Sequence, residues 1–453
     1  MDARTHEAEA TTSAPSAKYV RYVLLMLMIV NALAFLDRSI VNVLSQALKA
    51  DLGLSDTQLG LLGGFAFVLV YSLFALPVAR LAERKSRRNV ITVCITIWST
   101  MTTLCGFAGS FIHLFLARVG VGMGEAGASP SAHSMIADYV PPAKRASAIS
   151  IFVFGNPLGL LIGSVLGGLI AQHFSWRIAF LIVGLPGLLI ALAFRLTVKE
   201  PPRGQFDTAP RTETAPSLIQ VLGHMLAKKS FVHMTIAFTL VGGAIAGIAA
   251  FLPAFLMRRY GFDFAFTGLV VGGLGGASAC IGTLCGGYLT DWAVKHDKRW
   301  FAWVPAVMLT ISGILFVIGF VQQDWRWMIG ILIAPFIIKA THFAPTLAGF
   351  HNMAEARMRA TVVTLVFIVA NVLGGGGGPL LVGVVSDWFA AHAGAGAFFA
   401  VCPSGASVTT SSTCMTPSAY GVTMAMICAA LIYFWSVIHY VLASRHIRRD
   451  LLA

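Results

Sequence analysis

The sequence predicts an all-α membrane protein with twelve transmembrane helices in two pseudo-symmetric six-helix bundles. Three observations lead to this fold class: an apolar composition, twelve long apolar segments and a weak internal repeat. Of the 453 residues, 57% are hydrophobic and only 11% are charged, whereas a soluble domain carries about 25% charged residues. Most of the surface is therefore expected to face lipid rather than water.

The apolar segments are about 20 residues long or longer, which is the length that an α-helix needs to cross a bilayer. An outer-membrane barrel would instead show segments of about ten residues with alternating polarity. The predicted helices 1 to 12 lie at 19–48, 56–82, 89–111, 113–138, 145–173, 176–198, 230–257, 264–289, 300–321, 325–350, 358–387 and 419–444.

The two halves of the chain repeat each other weakly. Arg145 and Asn156 in helix 5 match Arg359 and Asn371 in helix 11, at spacings of 214 and 215 residues. Parallel duplication of this kind is typical of transporters that rock two bundles about a central site. The predicted parts are a disordered cytoplasmic tail at 1–18, an N-terminal bundle at 19–198, a Pro-rich cytoplasmic linker at 199–229, a C-terminal bundle at 230–444 and a cytoplasmic C-terminal tail at 445–453.

The basic residues are distributed unevenly between the two sides of the predicted membrane. If the N-terminus lies inside, the inner segments hold 24 of the 32 Lys and Arg residues, and the outer segments hold five. This positive-inside bias predicts that both termini are cytoplasmic in a multi-pass protein of the bacterial inner membrane. It also disfavours the alternative explanation of the net charge of +13, a basic patch for nucleic acid or anionic lipid, so no nucleic-acid partner is expected.

Several ionisable residues lie inside the predicted spans. A charge near the bilayer centre costs about 2.5–3.5 kcal/mol even on a lenient scale, so such residues are expected to face the bundle interior and to find partners. One interpretation is a static cluster of ion pairs that orients helices 1 and 4. The other is a proton site, in which two carboxylates bind and release a proton while cations control their affinity. The carboxylates are Asp37 and Glu125, and the candidate charge partners or head-group ligands are Arg38, Arg118, Lys339 and His342.

The sequence 79–88, ARLAERKSRR, resembles the loop signature of the major facilitator superfamily, Gly-x-Leu-Ala-Asp-Arg-x-Gly-Arg-Arg. It departs from that signature at Ala79, Glu83 and Ser86, although sign and hydrogen-bonding capacity are kept. The resemblance implies an inner latch that joins the two bundles in one state and releases them in another. The alternative is a basic loop that only sets topology. The implied latch residues are Glu83, Arg84, Arg87, Arg88 and, in a partial copy at the end of helix 8, Asp291.

Three further sequences resemble the Spinster-like branch of this superfamily: FLDR at 35–38, LGLSDTQLGLL at 52–62 and RVGVGMGEAGASP at 118–130. The resemblance implies the major facilitator fold, in which helices 1, 4, 7 and 10 line a central cavity. It also implies a lipid-like substrate of the sphingosine phosphate or lysophospholipid type. Further polar candidates for the cavity are Asn156 and Asn371.

Two other features carry structural expectations. The sequence GGGGGP at 374–379 in helix 11 indicates either a bend or a close contact with a neighbouring helix. Cys402 and Cys414 share the last outer loop and are candidates for a disulfide in an oxidising periplasm.

The sequence therefore predicts a monomeric, proton-coupled secondary transporter that moves an amphiphilic, lipid-like molecule by alternating access within the surrounding membrane lipids. It contains no ATP-binding, zinc-protease or nucleophile motif, so we expect a proton gradient as the energy source and no cofactor or metal. The proposed cavity charges sum to +1, which favours an anionic or zwitterionic head group. The alternatives are a proton-coupled carrier of a small organic anion or drug-like molecule and, from another class, a non-transporting receptor or intramembrane enzyme.

Overall fold

The protein is described from a computed structural model that covers residues 16–206, 218–355, 358–393, 402 and 412–451. Twelve helical spans occupy these ranges, which confirms the predicted fold class. Helix 1 is Ala17–Val43, helix 2 Asp56–Arg84, helix 3 Arg87–Cys105, helix 4 Phe111–Glu125 with Ala128–Tyr139, helix 5 Pro142–His173 and helix 6 Trp176–Thr197. Helix 7 is Lys229–Tyr260, helix 8 264–294, helix 9 Trp300–Phe320, helix 10 Trp325–Met353, helix 11 359–393 and helix 12 Ser412–Ser444.

Helix 1 is shorter than predicted. It ends at Val43 rather than near residue 48, and a separate short helix, Ser45–Leu52, follows it. That helix stops at Gly53, whose φ of 66° lies in the left-handed region. Helix 2 then begins with a capping box, because the Ser55 hydroxyl accepts from the Gln58 amide and the Gln58 side chain accepts from the Ser55 amide.

The interruptions of the helices repeat between the two halves. Helix 2 contains a π-helical segment at Leu61–Phe65, and helix 8 contains one at Gly273–Ala277, 212 residues later. Helix 4 breaks between Glu125 and Ala128, and helix 10 passes through a 3₁₀ turn at Lys339–His342. The internal repeat therefore extends to local backbone irregularities, which often mark functional positions.

Glycines allow helices to approach each other at the backbone. A side chain at Gly159 or Gly163 of helix 5 would overlap the backbone of helix 1 at Ala32 or Leu36. In helix 11, the glycine run begins within a π-helical segment, Ala370–Gly376, and Gly378 lies against the backbone of helix 7. The structure thus shows close packing in helix 11 as well as a local irregularity. Small residues at such crossings are typical of membrane bundles.

The regions outside the twelve spans are described in part. Most of the predicted N-terminal tail and residues 207–217 of the linker lie outside the described residues, and helix 1 begins after a Ser16 cap. In the predicted C-terminal tail, Ile447–Asp450 form one helical turn, and the Asp450 carboxylate accepts from the backbone amide of Ser230 at the start of helix 7. Cys402 and Cys414 are joined by a disulfide.

Candidate functional site

Two ion pairs cross between helices 1 and 4. Asp37 pairs with Arg118 at 2.8 Å, and Arg38 pairs with Glu125 at 2.6 Å. Consecutive residues of an α-helix point about 100° apart, so the adjacent Asp37 and Arg38 reach different partners on the same neighbouring helix. The structure therefore brings together four of the six ionisable residues that the sequence singles out.

The Asp37 pair is closed off from the cavity and both Asp37 oxygens are hydrogen-bonded, whereas the buried Nε of Arg118 has no partner among the described residues. The Asp37 carboxylate is 1% exposed, and its two oxygens accept from Arg118 Nη1 and from the Thr102 hydroxyl, at 2.8 and 2.6 Å. Each hydrogen bond to a charged group contributes roughly 1.5–3 kcal/mol, so these two bonds hold the Asp37 side chain in place.

The Glu125 pair is different because one oxygen has no partner. Arg38 donates from Nε and Nη2 to the same Glu125 oxygen, Oε2, at 2.8 and 2.6 Å. The other oxygen, Oε1, is buried and accepts no hydrogen bond from any described residue. Glu125 ends the first segment of helix 4, where the helix breaks. This oxygen is therefore free to take a proton.

Aromatic rings surround the Arg38 guanidinium. Its central carbon lies 4.6 Å from the Phe67 ring centroid, 5.0 Å from Phe35 and 5.2 Å from Tyr71. The Arg118 guanidinium lies 5.2 Å from Phe67, so a single ring of helix 2 contacts both arginines. Cation–π contacts of this kind strengthen when water is excluded.

A cavity of about 400 Å³ opens beside this pair, lined by helices 1, 2, 4, 5 and 11. Arg38 and Glu125 form its charged wall, whereas Asp37 and Arg118 are not among its lining residues. The Arg38 side chain is 32% exposed there, and some of its N–H groups remain free. The structure places Asn156 and Asn371 in the wall. Most other lining residues are apolar or aromatic: Val30, Ala34, Phe35, Phe67, Val68, Ala128, Phe152, Val153 and Phe367.

Lys339 and His342 do not join this cluster, contrary to the sequence-based expectation. Lys339 is buried inside the C-terminal bundle, with its ammonium 4.0 Å from the Phe336 ring centroid. The His342 ring packs beside Phe238 of helix 7, and neither residue lines the cavity. The 3₁₀ turn reorients this part of helix 10, and a periodicity argument from sequence does not include such a turn. The charges around the cavity therefore sum to zero rather than +1.

A second network joins the two bundles at the end of the molecule opposite to the termini, here called the outer end. Arg258 of helix 7 donates to both oxygens of Asp56 at the start of helix 2, each at 2.6 Å. Lys49 of the short outer helix and the Ser386 hydroxyl of helix 11 also donate to Asp56, each at 2.6 Å. Asp56 is only 2% exposed. We call Asp56, Arg258, Lys49 and Ser386 the outer network.

Backbone contacts reinforce the closure at the outer end. Asp387 of helix 11 accepts from the backbone amides of Asp56 and Thr57, so it caps the N-terminus of helix 2. On the other side of the molecule, a side chain at Gly168 of helix 5 or at Gly268 of helix 8 would overlap the facing backbone. The two bundles are therefore in direct contact on both sides of the outer half.

Sequence reasoning missed the outer network. Asp56 lies within a quoted motif, and Lys49 and Arg258 are two of only five basic residues assigned to the outer segments. The scarcity of outer basic residues is a signal that could have identified them. A charged residue next to a predicted loop can remain in water, however, so its solvation cost does not mark it as a site residue.

At the inner end, which carries both termini, the signature loop binds the linker. Glu200 accepts from the Ser86 hydroxyl, the Arg88 amide and Arg87 Nε, each at 2.8 Å. Partial burial opposes ionisation of Glu200, but these hydrogen bonds outweigh it and lower the pKa of this carboxyl. Arg87 is almost fully buried and also pairs with Asp138 at the end of helix 4.

The remaining latch candidates are unengaged in this conformation. Arg203 of the linker donates to the backbone carbonyls of Ala82, Glu83 and Lys85, which end helix 2. The side chains of Glu83, Arg84 and Asp291 are exposed, and the described residues show no ion pair to the Glu83 carboxylate. In this conformation the outer end is closed and the signature loop is attached to its own bundle and to the linker.

Two six-helix bundles that close at one end and surround a charged cavity form the architecture of a secondary transporter. The chain belongs to the major facilitator superfamily, because the family model of that description matches residues 27–379. Family membership makes it a multi-pass membrane transporter rather than an enzyme.

Comparison with solved structures confirms the Spinster-like resemblance. The chain is similar to a crystal structure of a bacterial homologue of the human lysosomal transporter Spinster, in an inward-facing and unoccupied conformation. The TM-score is 0.89 at 30% identity, over 97% of this chain and 100% of that chain.

Two curated relatives are also described as transport proteins. An MFS-type efflux pump of Mycolicibacterium smegmatis is 32% identical over 80% of this chain and 83% of its own length. A hexuronate transporter of Bacillus subtilis is 28% identical over 61% of this chain and 66% of its own length. These relatives therefore agree on transport, and only the second of them is named for its substrate.

Proposed function

We propose that this protein is a proton-coupled transporter of an amphiphilic, lipid-like molecule with an anionic or zwitterionic head group. It works by alternating access in the bacterial inner membrane, with both termini in the cytoplasm. The observation that carries the proposal is the cavity beside Arg38 and Glu125, which combines one charged wall with a mixed lining in which nine of the seventeen residues are apolar. Its volume of about 400 Å³ lies within the usual range of ligand pockets.

The head group binds at Arg38. Because Arg38 bonds only one Glu125 oxygen and is about one-third exposed, it has N–H groups left for an anion in the cavity. Phe35, Phe67 and Tyr71 hold the guanidinium in place while its partner changes. The apolar walls accommodate a tail. With a net cavity charge of zero, the preference for an anionic group comes from Arg38 alone.

Glu125 carries the coupling proton. A proton on Oε1 neutralises the carboxylate and weakens its attraction for Arg38, which then binds the anionic head group. Conversely, a head group that competes for Arg38 leaves Glu125 without its counter-ion and favours protonation. Proton and substrate are thereby linked through one guanidinium. Asp37 is a second proton site, which protonates only when a conformational change breaks its bonds to Arg118 and Thr102.

Transport in proteoliposomes tests this coupling. Uptake of fluorescent lysophosphatidylglycerol is measured with and without an imposed pH gradient, for wild type, Glu125→Gln, Asp37→Asn and the double variant. We expect Glu125→Gln to lose gradient-driven uptake but to retain counterflow exchange, since exchange moves no net protons. Full gradient-driven transport by both single variants and the double variant would refute the assignment. Thermal unfolding of each variant controls for loss of folding.

A small organic anion is the second candidate, since a hexuronate transporter is among the relatives. The two substrates make different demands on the cavity wall away from Arg38. Val153 of helix 5 lines the cavity and is 42% exposed. Val153→Asn should impair lysophospholipid transport and leave hexuronate transport unchanged. Transport of hexuronate by the wild type, without any lysophospholipid transport, would favour the second candidate.

A further inference from the structure

The linker contains an amphipathic helix, Leu218–Leu226. Its sequence LIQVLGHML has six large apolar residues in nine positions, which share one broad face, while Gln220, Gly223 and His224 lie on the other side. A helix with one broad apolar face and one polar face is typical of a surface or a membrane interface. We call it the linker helix; it ends just before Lys229, where helix 7 begins.

One face of the linker helix packs against the C-terminal bundle. Val221 and Met225, four residues apart and therefore on one side, are 0% and 1% exposed. They belong to the apolar core of that bundle, and the helix contacts the starts of helices 7 and 11. Lys228 donates to the Met353 carbonyl at 2.6 Å, which attaches the junction to the end of helix 10. The orientation of the linker helix is thus fixed.

The adjoining part of the apolar face is left largely uncovered by the described residues. Ile219 is 82% exposed, Leu226 58% and Leu222 39%. Spacings of three, four and seven residues place these three side chains along one stripe. An exposed aliphatic stripe on a rigidly seated helix requires an apolar environment, because leaving it in water forfeits its burial free energy.

We propose that the linker helix is an interfacial helix that inserts Ile219, Leu222 and Leu226 into the cytoplasmic leaflet of the membrane. It lies where helix 7 enters the bilayer, next to the lipid-facing surface of the bundle. Exposed Lys229 and Arg359 flank it, so anionic lipids strengthen its binding. A second copy of the chain is a poor occupant, since three side chains offer far less than the roughly 1,000 Å² that a specific interface buries.

The consequence concerns the C-terminal bundle. The linker helix is joined to helix 7 by a short turn at Ala227 and Lys228, and it touches helix 11, which contributes Asn371 to the cavity. A membrane-bound linker helix therefore anchors the inner end of this bundle to the leaflet. The inference does not depend on the identity of the transported substrate.

Site-directed spin labelling of the full chain tests the proposal. A nitroxide is attached at Ile219→Cys or, as a matched control, at Gln220→Cys, which is also exposed but lies off the apolar stripe. The background replaces the five cysteines outside the disulfide with alanine. Accessibility to oxygen and to a water-soluble nickel chelate is measured in nanodiscs of phosphatidylcholine, with and without phosphatidylglycerol.

We expect the label at 219 to be oxygen-accessible and several-fold better protected from nickel than the label at 220, and more deeply inserted when phosphatidylglycerol is present. Equal nickel accessibility at 219 and 220 would place the stripe in water and overturn the proposal. Protection of 219 from both reagents would mean that protein covers it, from the linker or a second copy, and would also overturn it. An insertion depth that is the same with and without phosphatidylglycerol would overturn the preference for anionic lipid.

Discussion

Removing the charge of Arg258 should open the outer end of the transporter. Arg258 is the cation of helix 7 that binds Asp56 of the other bundle, through two hydrogen bonds of 2.6 Å in a site where the two residues are 8% and 2% exposed. Arg258→Met keeps an unbranched apolar stem and deletes these two bonds, together with the bond from Arg258 Nε to Gln46 Oε1 at 2.8 Å. Lys49, which belongs to the same bundle as Asp56, remains bonded to it.

Because Lys49 stays bonded to Asp56, the free-energy cost of Arg258→Met to the closed outer end is smaller than that of an isolated buried charge. Breaking a buried ion pair so that one charge is left alone costs about 3–5 kcal/mol, but Asp56 keeps Lys49 and Ser386 as donors. The loss is then at the lower end of that range, because two hydrogen bonds with charged partners contribute about 1.5–3 kcal/mol each, which gives about 3 kcal/mol at least. Since about 1.4 kcal/mol is a factor of ten, the outer-open population should rise on the order of 100-fold relative to the closed one.

Distances between spin labels across the outer end report this population. Phe107, after helix 3, and Val321, after helix 9, are 69% and 48% exposed and lie on opposite bundles. Arg259→Met is the matched control, because Arg259 bonds Gln323 within its own bundle. A longer-distance population in Arg258→Met but not in Arg259→Met is expected. Identical distributions in the two variants would show that backbone packing alone keeps the outer end closed.

Three further predictions concern the inner end. A thiol at Thr212→Cys, in the linker beyond the described residues, should react with an impermeant reagent only from the cytoplasmic side; labelling of intact cells from outside would reverse the topology. Glu83→Ala should raise the inward-open population, seen as wider inner distances between spin labels, and an unchanged distribution would leave the loop a topology signal only. Because hydrogen bonds lower the pKa of Glu200, its carboxylate should attach the linker to the signature loop fully at neutral pH. This attachment should be lost as the pH falls through that lowered pKa. Glu200→Gln should therefore increase proteolysis of the linker near Arg203 at pH 7 but change little in strong acid, and equal cleavage of both proteins at pH 7 would contradict this.

The spans were predictable because the bilayer imposes a minimum length of apolar helix. The interruptions within them were not, since each depends on tertiary contacts. The π-helical segment Leu61–Phe65 lies where Gly64 of helix 2 meets Gly376 and Pro379 of helix 11. Nothing in the local sequence LLGGF distinguishes such a segment from a regular helix with two glycines. The separate outer helix Ser45–Leu52 is a similar case, because only its packing distinguishes it from a continuation of helix 1.

The buried charges were predictable because each is expensive in a membrane, but their partners were not. Sequence reasoning placed Asp37, Arg38, Arg118 and Glu125 on facing helices and left the pairing open. The same reasoning included Lys339. The cost of burying its side chain is offset by contacts with aromatic rings inside one bundle rather than by an ion pair with a carboxylate. Solvation cost identifies a residue that needs a partner, and it does not indicate the direction in which the side chain finds one.

Helix 2 connects the outer closure, the cavity and the signature loop. Asp56 lies at the start of this helix and belongs to the outer network. Phe67, two residues after the end of the π-helical segment, contacts both Arg38 and Arg118. Arg84 ends it in the signature loop. Release of Asp56 from Arg258 would free the outer end of helix 2, and any shift of Phe67 would then alter the environment of both ion pairs at once. The π-helical segment Leu61–Phe65 lies between Asp56 and Phe67, and such segments are frequent at functional sites. We therefore propose that the ring of Phe67 links the outer closure to the proposed proton site, without any contact between the charged groups themselves.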